Sequence, residues 1–206
     1  MTARSIACLV ISLAAASARA DETPGQAVEA LIVPWQALVT PTPADRARLA
    51  RAKVEPDPHV QAVRARYATV DVAALRGDEA VAELQRACML LDELGTPAAR
   101  EQIARWYLRL DEAAARSVRP APEVMVLRTT MLARVRQGRP EVTERILQRI
   151  ERLDHTQRMG ALAYLVRAAK ADGTVVGRLR ALHEDARSPL YHAAEVKKAL
   201  DAMGAR

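Results

Sequence analysis

The stretch LHEDARSPLYH, residues 182–192, carries His183 and His192 on either side of a turn, with Glu184 and Asp185 beside the first. These are zinc-ligating residue types, yet a zinc site needs three or four ligands at a workable spacing, and no third companion stands at a recognised one. Polar residues near a helix end explain the set better, and a protonated His183 would suit a helix C-terminal dipole. His59 and His155 stand at expected helix starts without companions. For nucleophilic chemistry the chain offers Ser117 and Ser188 as its serines beyond residue 20, and neither lies in G-x-S-x-G. Ser188, followed by Pro189, reads as a helix cap. Cys88 falls in register with apolar neighbours and reads as a buried, inert core cysteine rather than a reactive or intermolecular thiol. The carboxylate pairs Asp92-Glu93, Asp111-Glu112 and Glu184-Asp185 read as solvated helix faces, and isolated glycines build no phosphate loop. The residues predict no catalytic group, no cofactor and no metal.

A second constellation is cationic. Arg145, Arg149 and Arg152 lie along one side of a helix expected from Pro140 to Leu153, with Glu144, Gln148 and Glu151 on the adjoining side. Such a row fits an acidic protein partner or anionic lipid headgroups. The plainer reading is a solvated helix on which Glu and Arg support one another at i,i+4.

The elements that would carry these residues are helices. From Asp78 onward, apolar residues recur at helical spacing between Gly and Pro breaks. The expected faces are Val81, Leu84, Cys88 and Leu91, then Ile103, Tyr107 and Leu110 with Trp106 alongside, then Val124, Leu127, Met131 and Val135. Val142, Ile146, Ile150 and Leu153 follow, then Leu162, Leu165, Val166 and Ala169, then Val175, Leu179, Leu182 and Ala186, and finally Ala193, Val196, Leu200 and Met203. Asp78 and Thr174 are expected as caps, Gly95 and Gly138 as helix ends, and Thr96-Pro97 as a cap with proline in the first turn. No useful stretch alternates with period two, so the class is all-α, with short breaks making successive helices antiparallel hairpins.

Residues 21–77 are rich in proline. They form an N-terminal segment, partly helical, read as a docked cap in preference to a free linker, with Trp35 as the expected anchor. The stretch from Thr40 to Pro58 is expected as an exposed connection or a short Arg-rich helix. Residues 1–20 have the build of a cleaved secretory signal: Arg4, an apolar run from Ile6 to Ala16, and Ala18-Arg19-Ala20 as the cleavage site. A retained membrane tether is the minor alternative, since the run is shorter than the roughly 20 residues of a bilayer span. A bacterial periplasmic location follows. Cleavage would remove Cys8, and the loss of Arg4 and Arg19 would lower the formal charge of +6 by two, to +4. One cysteine then supports no internal disulfide framework. The abundance of Arg over Lys reads as coding bias of a GC-rich genome, and aromatics at 3% with no Phe give little from which to build base-stacking surfaces. Nucleic acid is not expected as a partner.

Residues 157–204 resemble HEAT-like repeats. Arg158, Ala161, Leu162 and Leu165 in one helix, and Ala193, Ala194, Ala199, Leu200 and Met203 in the last, match the pattern of an arginine in the first turn, small central residues and a closing apolar seam. The resemblance implies a short α-solenoid over residues 78–206 and a non-catalytic scaffolding role, binding another envelope protein by an extended surface. Contact with an anionic membrane surface is the alternative, and a cryptic hydrolase or metal-dependent enzyme the least favoured. The sequence sets no oligomeric state.

Overall fold

A computed structural model describes residues 22–205 apart from 73, 76, 118–120, 137, 169–171 and 186–189. The leader, Asp21, the break at Pro120, the inward Ala169 and Ala186 and the Ser188-Pro189 cap lie outside the described residues. Those residues are all-α, with no strand among them. The helices are α1 Pro24–Ile32, α2 Gln36–Val39, α3 Pro43–Val54, α4 Pro56–Arg66, α5 Asp78–Leu94 and α6 Pro97–Arg116. They continue with α7 Pro122–Arg134, α8 Pro140–Arg149, a 3-10 turn Ile150–Arg152, α9 His155–Ala168, α10 Gly173–Glu184 and α11 Leu190–Met203.

Helix starts follow local chemistry. Proline stands in the first turn of α1, α3, α4, α6, α7 and α8, where its missing N–H costs nothing. Thr23, Thr42 and Thr96 accept bonds from the N–H groups of Gln26, Asp45 and Ala99, and the first two form reciprocal capping boxes with Gln26 and Asp45. Gly95 ends α5 with φ of 67°, a left-handed conformation that glycine adopts without a Cβ clash. Two expected caps move. Gly77, not Asp78, is the cap residue of α5, and the Asp172 carboxylate, not Thr174, caps α10 by accepting from Thr174 and Val175. α7 ends at Arg134, ahead of Gly138, and the helix from Pro140 gives way to a 3-10 turn after Arg149.

The apolar stripes meet in one core that runs from Val28 to Met203. α1 packs on α3, α4 and α5, and α4 on α5 and α6, so the proline-rich segment lies against the body. From α5 onward, the extensive contacts join helices one or two positions apart: α5 with α6 and α7, α6 with α7 and α8, α7 with α9, and α11 with both α9 and α10. Trp106 is buried at 1% exposure, with the Tyr67 ring edge-on at 5.4 Å. Trp35 overturns its expectation as an anchor, being 63% exposed. The α1 stripe of Ala27, Val28, Leu31 and Ile32 finishes the burial before Pro34, and the chain then turns outward.

Gly138 makes the closest backbone approach, since a methyl group there would overlap the carbonyl oxygen of Ala168. Gly177, inside α10, has open space at the same point. Gly138→Ala is therefore expected to destabilise the chain by about 1–3 kcal/mol through forced displacement. Gly177→Ala should raise Tm by about 1–4 °C through helix propensity. Thermal melts of the two variants check this, and equal shifts would refute the steric account.

Candidate functional site

α8 directs Val142, Thr143, Ile146 and Leu147 into the core. The three candidate arginines of this region do not share one environment. Arg152 is exposed on the 3-10 turn, outside the α-helical register, and Arg145 is partly exposed on α8. Arg149 turns inward: its Nη1 donates to the Asp111 carboxylate and, at 2.8 Å, to the Asp111 main-chain carbonyl. Asp111, read from sequence as a solvated carboxylate, is only 2% exposed. It also accepts from Arg128 at 2.9 Å, and Arg128 reaches the side-chain oxygen of Gln157. Two guanidinium groups on one buried carboxylate tie α6, α7 and α8 together. An ion set of this kind is costly to break from the anionic side, because desolvated cations would be left without their counter-charge.

A second cluster joins α9 to α11. Arg158, 1% exposed, donates from Nε to Glu195 at 2.6 Å and from Nη1 to the Leu153 carbonyl at 2.7 Å. Glu195 is also bonded to His155 Nδ1 at 2.6 Å. Burial opposes ionisation of Glu195, but the bonds and charges of Arg158 and His155 outweigh it and hold the carboxyl below its usual 4.5. Burial, then the Arg158 charge, lowers His192 below its usual 6.5. His183 lies 3.1 Å from the Ala193 carbonyl through Nδ1, so that nitrogen carries the proton and links α10 to α11. His59 Nδ1 is bonded to the Glu55 carbonyl of its own helix at 2.9 Å. His183, Glu184, Asp185 and His192 thus do not converge on a point, and no group of three or more metal-ligating residues does so among the described residues. Cys88 is buried, and burial pushes its thiol up to about 12. Ser117 caps the end of α6.

An open cleft of about 410 Å³ lies between Glu22, Arg48, Arg51, Val54, Glu55 and His59. Glu22 already bridges both arginines, at 2.8 and 3.1 Å. What sequence reasoning missed are the structural roles of four arginines: Arg86, Arg128 and Arg158, which are buried, and the exposed Arg167, whose head reaches back to main-chain carbonyls. A signal existed for three of them. Arg128 adjoins Leu127 in the α7 stripe, Arg86 sits between Leu84 and Cys88, and Arg158 precedes Ala161 and Leu162 by one turn. Comparison with family models, curated proteins and solved structures finds no match.

Asp111→Ala strands the buried Arg128 and is expected to cost about 3–5 kcal/mol, well above Arg149→Ala, which leaves the Arg128 pair intact. Urea unfolding of both variants checks the order, and equal losses would show that removing Asp111 does not strand Arg128. The second cluster predicts acid sensitivity. In the folded chain His192 and Glu195 both hold protons less tightly than usual, so their contribution is complete above about 6.5 and 4.5 respectively. It is lost as the pH falls through these ranges. The urea midpoint should decline between pH 8 and pH 5.5, and His192→Gln should flatten that limb; an equal decline in the variant would remove His192 as the cause.

Proposed function

We propose that the chain is an exported, non-catalytic interaction module of the bacterial periplasm, a short HEAT-like stack of antiparallel helical hairpins that binds another envelope protein. The observation that carries this reading is the packing order after α5. Helices that meet partners one or two positions along the chain build a layered array, in which each element buries one stripe and leaves another face for partners. The binding face assigned here is the outer side of α8, whose extensive contacts among the described residues are with α6 and its own following turn. Arg145, Glu144 and Gln148 are presented there, with Arg152 just beyond. Export rests on the leader pattern of residues 1–20.

Arg149 belongs to the buried Asp111 set and is left unchanged in the test. Arg145→Glu with Arg152→Glu should leave the thermal melt within about 1 °C of wild type, since exposed charges contribute little to stability. The same pair should abolish capture of a stoichiometric partner from cross-linked envelope, read by mass spectrometry. Retained capture would exclude this face, and no stoichiometric partner for the wild type would overturn the adaptor reading.

A further inference from the structure

The turn between α1 and α2, together with the short α2 itself, displays apolar side chains that the fold keeps out of its core. Val33 is 44% exposed, Trp35 63% and Val39 59%, with Pro34 exposed between the first two. From Ala30 to Ala44 the chain contains no charged residue. The turn is held from behind. Leu31, Ile32 and Ala37 are buried on either side of it, and Arg86 donates to the carbonyls of Ile32 and Val33. The amides of Val33, Ala37 and Thr40 are bonded to the carbonyls of Glu29, Pro34 and Gln36. Trp35 therefore projects from a turn fixed on one side by the Arg86 bonds to Ile32 and Val33 and on the other by the buried Ala37.

We propose that residues 33–39 seat in the headgroup region of an anionic lipid surface, with Trp35 as the anchor. Indole suits that boundary because its ring is apolar and its N–H still reaches a polar partner. The uncharged run removes the desolvation cost that a carboxylate or ammonium would carry there. Charge supplies the preference for anionic lipid, since the chain keeps a formal +4 after loss of Arg4 and Arg19 with the leader, and no carboxylate stands between Ala30 and Ala44 to oppose it. Size separates lipid from protein. Three protruding side chains offer a few hundred Å² at most, below the ~800 Å² per partner of a stable protein interface. A shallow anchor penetrating roughly 5–10 Å needs no more than that. This surface is distinct from the outer face of α8 and does not depend on it.

The two tryptophans make the test direct, since Trp106 is buried and Trp35 alone reports the turn. The mature protein, residues 21–206, is titrated with vesicles of phosphatidylglycerol and phosphatidylcholine, with phosphatidylcholine alone, and with brominated-chain versions of each. The mixed vesicles should shift Trp35 emission to the blue, and the brominated lipid should quench it while Trp106 emission persists. Trp35→Ala, at an exposed position, should keep its thermal melt and partition about tenfold more weakly. Unchanged Trp35 emission at saturating vesicle, or wild-type partitioning by Trp35→Ala, would overturn the proposal. So would a vesicle-independent blue shift that rises with protein concentration and accompanies a dimer mass by light scattering, because the turn would then join two copies of the chain.

Discussion

Every break between helices leaves carbonyl groups without intrahelical partners, and at three breaks of this chain an arginine from another helix reaches them. Arg86 of α5 bonds the carbonyls of Ile32 and Val33 at the end of α1. Arg167 of α9 reaches those of Leu132 and Val135 at the end of α7, at 3.2 and 3.5 Å. Arg158 reaches Leu153 just past the 3-10 turn. Arginine suits the role because its planar fork donates in several directions and stays charged when buried, where lysine offers a single compact head. The positive end-charge it supplies also opposes the partial negative charge of the helix C-terminus. Short helices joined by brief breaks need many such closures, which gives the chain a structural use for its arginines.

The apolar stripes could be read in advance because they depend on local period alone. Val81, Leu84, Cys88 and Leu91, like Ile103, Tyr107 and Leu110, recur often enough within long helices for the inward face to be unambiguous, and all seven are buried. Some caps were legible to the residue, Gly95 ending α5 and Thr96 starting α6, and others only to within a residue or two. Gly77 precedes Asp78 and Asp172 precedes Thr174, and which of two neighbouring candidates caps depends on the angle at which the chain enters the helix. The inward turn of Arg86, Arg128 and Arg158 was harder to read, for a different reason. A side chain with a long apolar stem and a charged head fits either face of an amphipathic helix, and its partner lies 17 residues away for Arg128 and 54 for Arg86. Read by composition, they were indistinguishable from coding bias.

The arginine row on α8 illustrates the same dependence. Spacing placed Arg145, Arg149 and Arg152 on one side of a single helix, and spacing takes no account of a carboxylate in α6 lying within reach. Asp111 draws Arg149 inward, and the chain leaves α-helical geometry immediately afterwards, at Ile150. The angular relation between Arg145 and Arg152 is then set by the 3-10 turn rather than by the 3.6-residue period. Trp35 is the complementary case. Its size and apolar ring suggested an anchor in the core, whereas Pro34 and the completed stripe of α1 leave it no inward position.

Arginine closures and outward surfaces are linked through the rigidity that one gives the other. A turn whose carbonyls were left to water would sample many conformations, and an exposed Trp within it would fold back onto nearby apolar surface to reduce its own hydration. With Arg86 fixing Ile32 and Val33, and Ala37 buried beyond the turn, that retreat would require breaking bonds to a buried cation. The Asp111 set does the same for α8, because the inward pull on Arg149 orients the helix that carries Arg145. In both places a cation withdrawn from the surface determines what the neighbouring residues present to it.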